Sequence, residues 1–299
     1  MSFNDNAQID TSNVESGGSG GRGGGIAVGG GIGGLIIALL VFLFTGQLPD
    51  TGTTTTTTDS SQEQEADPDW LANCKTGADA NKDDRCLVAA TAASAEAYWE
   101  EAFTGEGGFQ PATTVVYQGT TQSACGTASN QVGPFYCPTD QKIYVDADFF
   151  QILSTQFGSD DGQLAKEYVV AHEYGHHIQN LYGILGNAQQ DPQGAESGAV
   201  RIELMADCFG GMWAQHASST DSGNGEPFLK KLTESDIKSA LSAASAVGDD
   251  NIQEKTQGRT TPESWTHGSA EARMTWFVTG MKAKKVNDCD TFAVDSVYQ

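Results

Sequence analysis

The spacing of apolar residues along most of the chain predicts a series of amphipathic helices. From Asp84 to Phe103 these residues recur at the three- and four-residue spacing of a helix face. Capping residues and glycine stops predict four more helices: 163 to about 182 after Asp160 or Asp161, Ser197 to about 217, Thr233 to Gly248, and Ser269 to Gly280. Short β-branched and aromatic runs at 113–117 and 142–146 predict strands. This order favours an α+β fold over a doubly wound parallel sheet.

The first 68 residues follow a different pattern. Residues 1–25 are polar and then glycine-rich, and we expect them to be disordered because they cannot bury enough apolar surface. Residues 26–45 form a 20-residue uncharged and largely apolar run, long enough to cross a membrane as a helix. Residues 46–68 include six consecutive threonines and are predicted to be a flexible linker. The folded domain is therefore expected to span 69–299.

The apolar run at 26–45 has two interpretations, a retained membrane anchor or a cleaved signal peptide. The segment before it is acidic and no small-x-small cleavage site follows it, which favours a retained anchor. Arg22 precedes the run, whereas Asp50 and Asp59 follow it, and this charge difference favours an N-in, C-out orientation. We therefore expect a single-pass protein of the bacterial cell membrane, with the C-terminal domain outside the cytoplasm.

Charge and cysteine content narrow the choice of partners and compartment. The 16 basic and 39 acidic residues give a formal charge of −23, so nucleic acid is excluded as an expected partner. Six cysteines form an even set that is typical of an oxidising compartment. The expected pairs are Cys74 with Cys86, Cys125 with Cys137, and Cys208 with Cys289, although sequence order alone allows fifteen pairings. A zinc thiolate site is the alternative for Cys125 and Cys137.

The segment His172-Glu-Tyr-Gly-His176 contains the motif HExxH on a predicted helix. Residues four apart share a helix face, so His172 and His176 can direct their imidazoles at one zinc ion. Glu173 lies beside the first ligand, where it can act as a general base on a metal-bound water. A buried structural histidine is the alternative for His172. His177 points about 100° away from His176 and is expected to have a structural role.

The helix predicted after Ser197 carries two carboxylates, Glu203 and Asp207, on one face of an otherwise apolar sequence. Buried carboxylates need partners. A catalytic zinc usually has three protein ligands and one water. Both requirements are met if Glu203 is the third ligand and Asp207 accepts an N–H from a ligand histidine.

Together these motifs carry a family resemblance. The segments HEYGHH, ELMADCFGGMW and PESWTHGS, with Arg273 and Trp276-Phe277, are similar to the bacterial neutral zinc metallopeptidase family. The stretch 135–146 and the glycine-rich lead into an apolar run resemble it too. The likeness covers most of the chain and implies a zincin-like fold: a small sheet, an HExxH helix and a second ligand helix, preceded by a transmembrane helix. The HExxH…ExxxD arrangement also resembles the wider gluzincin pattern, which implies Glu203 as third ligand.

One catalytic role stays open in the sequence, the donor that stabilises the developing oxyanion. His267 is the first candidate, because Thr-His-Gly-Ser is typical of a loop that enters a helix. The alternative is that His267 only positions the chain at the helix start. Tyr136 and Tyr144, near the expected edge strand, are weaker candidates.

The sequence therefore favours a membrane-anchored extracytoplasmic zinc endopeptidase that hydrolyses peptide or protein substrates with one Zn²⁺. Two alternatives are a zinc-containing scaffold that cleaves nothing and a cell-wall amidase with the same motif. An intact Glu173 argues against the scaffold, because a structural zinc has no use for a general base.

Overall fold

A computed structural model describes residues 2–18, 70–130 and 132–298. The predicted 26–45 anchor and 46–68 linker lie outside these residues. Within them, the helices and strands form a mixed α+β fold with a small sheet, so the predicted fold class is confirmed at this level. No helix in the described part of the chain is both long and apolar enough to cross a membrane.

Ten α-helices occur in the described residues. They are α1 (Trp70–Asn73), α2 (Gly77–Ala80), α3 (Asp84–Ala102), α4 (Phe149–Thr155), α5 (Gln163–Leu181), α6 (Asn187–Gln190), α7 (Gly198–His216), α8 (Glu234–Ala246), α9 (Asp249–Gln257) and α10 (Ala270–Lys282). The five predicted helices coincide with five of them, α3, α5, α7, α8 and α10. The hydroxyls of Ser197, Thr233 and Ser269 cap α7, α8 and α10 as expected.

Two predicted helix ends differ from the structure. Neither Asp160 nor Asp161 caps α5: its N-cap residue is Gly162, and no side chain caps the helix. Oδ1 of Asp160 accepts instead from the N–H of Gly162, which precedes the helix. Helix α10 does not end at Gly280 but continues to Lys282. Gly280 instead allows close packing against α7. A Cβ on Gly280 would lie 1.8 Å from the carbonyl oxygen of Cys208 in α7, and one on Gly211 would lie 2.0 Å from that of Phe277 in α10. Glycine at these two positions allows α7 and α10 to pack with their backbones in contact.

The main sheet has four strands in the order β1-β2-β6-β5. Its members are β1 (Val14–Gly17), β2 (Thr113–Tyr117), β6 (Lys142–Asp146) and β5 (Phe135–Cys137), and a separate hairpin pairs β3 (Thr120–Ser123) with β4 (Gly126–Ser129). Strands β2 and β6 coincide with the predicted strands and pair in parallel, Thr113 opposite Lys142. Strand β5 pairs antiparallel to β6 and ends the sheet order on the side of the HExxH helix.

The prediction that residues 1–25 are disordered is wrong for residues 2–18. Strand β1 pairs in parallel with β2, Val14 opposite Thr114, and the side chains of Phe3 and Ala7 are fully buried. The prediction failed because it considered only the apolar surface of the segment itself. Its few apolar side chains are buried by residues far away in the sequence, which local composition cannot reveal.

All three expected disulfides are present: Cys74–Cys86, Cys125–Cys137 and Cys208–Cys289. The third links α7 to the C-terminal segment and begins at the residue next to Asp207. Helices α5, α7 and α10 pack around one buried apolar core, so the HExxH motif and the carboxylate pair lie on neighbouring helices.

Candidate active site

His172 and His176 on α5 converge with Glu203 on α7. The two Nε2 atoms lie 3.2 and 3.4 Å from the two carboxyl oxygens of Glu203, and one ligand atom from each residue falls within 4.8 Å of the others. Ligands about 2.0–2.1 Å from a tetrahedral zinc ion lie roughly 3.3 Å from one another. The separations and the His₂Glu donor set therefore fit a zinc ion.

The other imidazole nitrogen of each histidine has its own acceptor. Nδ1 of His172 lies 2.7 Å from Oδ1 of Asp207, and Nδ1 of His176 lies 2.8 Å from Oε1 of Gln179. A proton held on Nδ1 leaves the Nε2 lone pair free for a metal. The structure thus gives Asp207 the contact that the sequence analysis expected. It adds Gln179, whose i+3 spacing from His176 on the same helix is the local signal for this contact.

Asp207 is itself held by a buried network. Its two carboxyl oxygens accept from Nε and Nη2 of Arg273 at 2.8 and 2.9 Å, and the hydroxyl of Tyr168 donates at 2.5 Å. Burial raises the pKa of Asp207, but Arg273 and His172 outweigh it, so this pKa lies below its ordinary value. Asp207 is therefore a carboxylate, able to fix the proton position on His172. No local pattern in the sequence indicates this role of Arg273.

Glu173 lines the same cavity as the histidines and Glu203. Its side chain is buried, and this burial raises the pKa of Glu173 above its ordinary value. A carboxylate with a raised pKa is a stronger base than a solvated one, which suits it to take a proton from water.

His267 lies in the wall of this cavity with a fixed ring orientation. Its Nδ1 lies 3.1 Å from Oδ1 of Asp249 and 2.9 Å from the hydroxyl of Thr266. The other oxygen of Asp249 accepts from the backbone N–H groups of residues 266, 267 and 268. Burial lowers the pKa of His267, but Asp249 outweighs it and the pKa is raised. Sequence reasoning did not identify Asp249.

The Nε2 atom of His267 is buried and has no hydrogen-bond partner among the described residues. Such an atom is costly to bury unless a ligand meets it. An imidazolium donates from both nitrogens, so with Asp249 on Nδ1 the Nε2–H is left for a group in the cavity. This arrangement fits the expected oxyanion donor.

Tyr136 and Tyr144, the other candidates for the oxyanion donor, already use their hydroxyl groups in other hydrogen bonds. Nε2 of His177 lies 2.7 Å from the carbonyl oxygen of Gln110 and must donate to it, which leaves Nδ1 to accept from the hydroxyl of Tyr136 at 3.2 Å. Burial lowers the pKa of His177, in keeping with this neutral form. The hydroxyl of Tyr144 donates to Asp140 at 2.8 Å. Each tyrosine proton is thus already used, and His177 has the structural role that the sequence predicted.

Apolar side chains make up most of the remaining cavity wall: Val132, Pro134, Phe149, Phe157, Val169 and Ile252. Arg273 also lines the wall, but its guanidinium is hydrogen-bonded to Asp207. The cavity lies beside β5, since Phe135 and Tyr136 of this strand also line it.

Fold and site together define an α+β protein in which the HExxH helix and the neighbouring carboxylate helix bring three metal-ligand residues together. The chain belongs to the family described as "putative neutral zinc metallopeptidase", whose model matches residues 3–292.

Its relatives include the uncharacterized protein Rv2575 of Mycobacterium tuberculosis, 52% identical over 224 residues and 75% of each chain. The uncharacterized protein YpfJ of Escherichia coli K12 is 38% identical over 206 residues, which cover 67% of this chain and 68% of YpfJ. No solved structure matches the chain, so the expected likeness to zincins has no support from structural neighbours.

Proposed function

We propose that the chain is a zinc-dependent endopeptidase that cleaves peptide or protein substrates outside the cytoplasm. One observation carries this proposal: the His172, His176 and Glu203 ligand atoms converge in a cavity that also contains Glu173 and the unpartnered Nε2 of His267. A metal site with a structural role would need neither of the last two groups.

His172, His176 and Glu203 would hold the zinc ion. Zinc bound there would supply Lewis-acid chemistry, lowering the pKa of water and polarising a carbonyl group. Glu173 takes the proton from the attacking water and later passes it to the leaving amine. Its raised pKa suits both transfers, because the same carboxyl group must bind the proton and then release it.

His267 donates from Nε2 to the oxygen of the scissile carbonyl as negative charge develops there. Asp249 is a positioning residue for this step. It fixes the His267 ring through Nδ1 and the loop around it through three backbone N–H groups.

The position of β5 supports a polypeptide substrate. This strand ends the sheet order beside the cavity, where an extended peptide can add as a further strand. The cavity wall is largely apolar, and Arg273 is hydrogen-bonded to Asp207 and so is not free to bind an acidic substrate group. Both features favour uncharged, apolar side chains next to the scissile bond. We therefore propose unfolded or extended apolar segments of proteins as the substrate class, in preference to charged cell-wall fragments.

The proposed location rests on the cysteines and on the sequence before the domain. Three disulfides leave no free cysteine, which is typical of proteins outside the cytoplasm. The uncharged, largely apolar run at 26–45 is the segment that we propose attaches the chain to a membrane.

The test compares the full-length chain with its Glu173→Gln variant. Zinc content is measured for both, and each is incubated with a denatured protein whose fragments are identified by mass spectrometry. We expect equal zinc in the two proteins and cleavage at least ~10²-fold slower in the variant, as for the loss of a general base. Equal zinc with no cleavage by the wild type favours the scaffold instead. Cleavage of wall fragments but not of protein favours the amidase.

A further inference from the structure

Residues 2–18 contact elements from widely separated parts of the domain. The side chain of Asn4 donates to the carbonyls of Pro227 and Leu229, and its backbone N–H donates to Phe228. Asn81 accepts from the N–H of Phe3 and donates to its carbonyl. The segment therefore joins the region before α3 to the loop between α7 and α8.

Residues 13–16 of the segment also make side-chain contacts with the rest of the domain. Both carboxyl oxygens of Glu96 in α3 accept from the amide of Asn13, at 2.9 and 3.0 Å. The hydroxyl of Ser16 accepts from the indole of Trp70 at 2.9 Å, and Lys142 forms an ion pair with Glu15. Together with the pairing of β1 and β2, these contacts make residues 2–18 an integral part of the folded domain.

These contacts constrain how the chain can sit at a membrane. The segment ends at residue 18 and the domain resumes at residue 70, and both belong to one packed unit. A chain that crosses a membrane once between them would leave residues 2–18 and 70–298 on opposite sides. In that arrangement β1 could not pair with β2, and Phe3 could not be buried.

The charges of the segment are compatible with its transfer across a membrane. Residues 2–18 contain Asp5, Asp10 and Glu15 but no lysine or arginine. Basic residues are the ones that keep a segment on the cytoplasmic side, and acidic residues contribute little. Arg22 is the first basic residue of the chain, and it follows the docked segment.

We propose that residues 2–18 lie on the same side of the membrane as residues 70–298, docked on the surface formed by Asn81, Glu96, β2 and the 227–229 loop. This inference goes beyond the proposed peptidase activity and does not depend on it. It replaces the N-in, C-out orientation expected from the flanking charges, because the N terminus and the domain then share one side.

The test labels single introduced cysteines in cells that express the full-length chain. Ser12→Cys reports on the N-terminal segment, and Ser235→Cys in α8 is the matched control on the domain. Both serines are exposed, and every native cysteine of the described chain is in a disulfide. A membrane-impermeant maleimide is added to intact cells and, in a parallel sample, to permeabilised cells.

We expect both cysteines to be labelled in intact cells, and to the same extent. Labelling of Ser235→Cys in intact cells, with Ser12→Cys labelled only after permeabilisation, would overturn the proposal. If both react only after permeabilisation, the shared side is upheld and the extracytoplasmic location fails, so the two proposals are tested separately. A variant that does not fold is recognised by mixed disulfides on a non-reducing gel, and Thr11→Cys then replaces Ser12→Cys.

Discussion

Oε1 of Gln179 lies 2.8 Å from Nδ1 of His176, and Nε2 of the same side chain donates to the carbonyl oxygen of Ile202 at 2.6 Å. Ile202 directly precedes Glu203 on α7. One buried amide therefore fixes the proton on a ligand histidine and connects the HExxH helix to the backbone beside the third ligand. A hydrogen-bonded side chain thus connects the two ligand-bearing helices immediately next to the candidate zinc site.

Gln179→Leu should weaken zinc binding by roughly 10–100-fold, the usual penalty for losing a partner of a metal ligand. The substitution removes the acceptor of the His176 proton and the side-chain donor to the Ile202 carbonyl. Competition with a chelating indicator measures the affinity. Gln189→Leu is the matched control, because Gln189 also lines the cavity but is exposed, and its zinc affinity should not change. Equal affinities for the two variants would contradict this role for Gln179.

Glu203→Ala should abolish zinc binding, whereas Asp207→Asn should weaken it by roughly 10–100-fold. Glu203 supplies the third ligand, while Asp207 acts only through His172. Asparagine is the better replacement for Asp207, because alanine would leave the buried charge of Arg273 without its hydrogen-bonded partner. Metal analysis after dialysis measures both variants. Retained zinc in Glu203→Ala together with its loss in Asp207→Asn would reverse the assignment.

His267→Ala should lower kcat by about 10²–10³-fold with zinc content unchanged, as expected for the loss of one oxyanion donor. Asp249→Asn should also lower kcat, because it weakens the hold on Nδ1 that directs Nε2 into the cavity. Steady-state kinetics on a peptide, with zinc analysis, measures both. A change in KM alone would mean that His267 only shapes the binding site. His216→Ala, at the exposed end of α7, is the control and should keep wild-type kcat.

Glu167→Gln should make the protein more stable at alkaline pH. Glu167 is fully buried, neither of its carboxyl oxygens has a hydrogen-bond partner among the described residues, and burial raises its pKa to about 8. The unfolded chain ionises this group near its ordinary value of 4.5, so the folded state binds the extra proton between those pH values. The stability of the wild type therefore falls as pH rises through this window, by an amount on the order of 5 kcal/mol.

Urea unfolding of the wild type and Glu167→Gln from pH 5 to pH 9 measures this effect. The difference in unfolding free energy should be small at pH 5, grow in favour of the variant up to about pH 8, and then level off. Glu100→Gln, at an exposed position on α3, should show no such trend. A difference that does not vary with pH would show that Glu167 does not ionise within this window in the folded protein.

Much of the fold was predictable because its signals are local. Strands β2 and β6 follow from short β-branched runs, and α7 follows from Ser197 and the apolar residues after it. The placement of His172 beside His176 follows from the period of the helix alone. The role of a glycine could not be predicted from residue type alone. Glycine often ends a helix, but Gly280 lies within α10 and allows two helices to pack closely.

The sequence by itself determined the HExxH helix, the carboxylate helix and the chemistry of their side chains, because helical periodicity and residue type are properties of neighbouring positions. Only the tertiary structure decided that Asp249 holds His267, that Arg273 holds Asp207, and that residues 2–18 complete the sheet. These partners are separated by 18, 66 and about 100 residues along the chain, respectively. Their contacts depend on packing that no local pattern encodes, since a buried polar group can be paired by any part of the chain that folding brings to it.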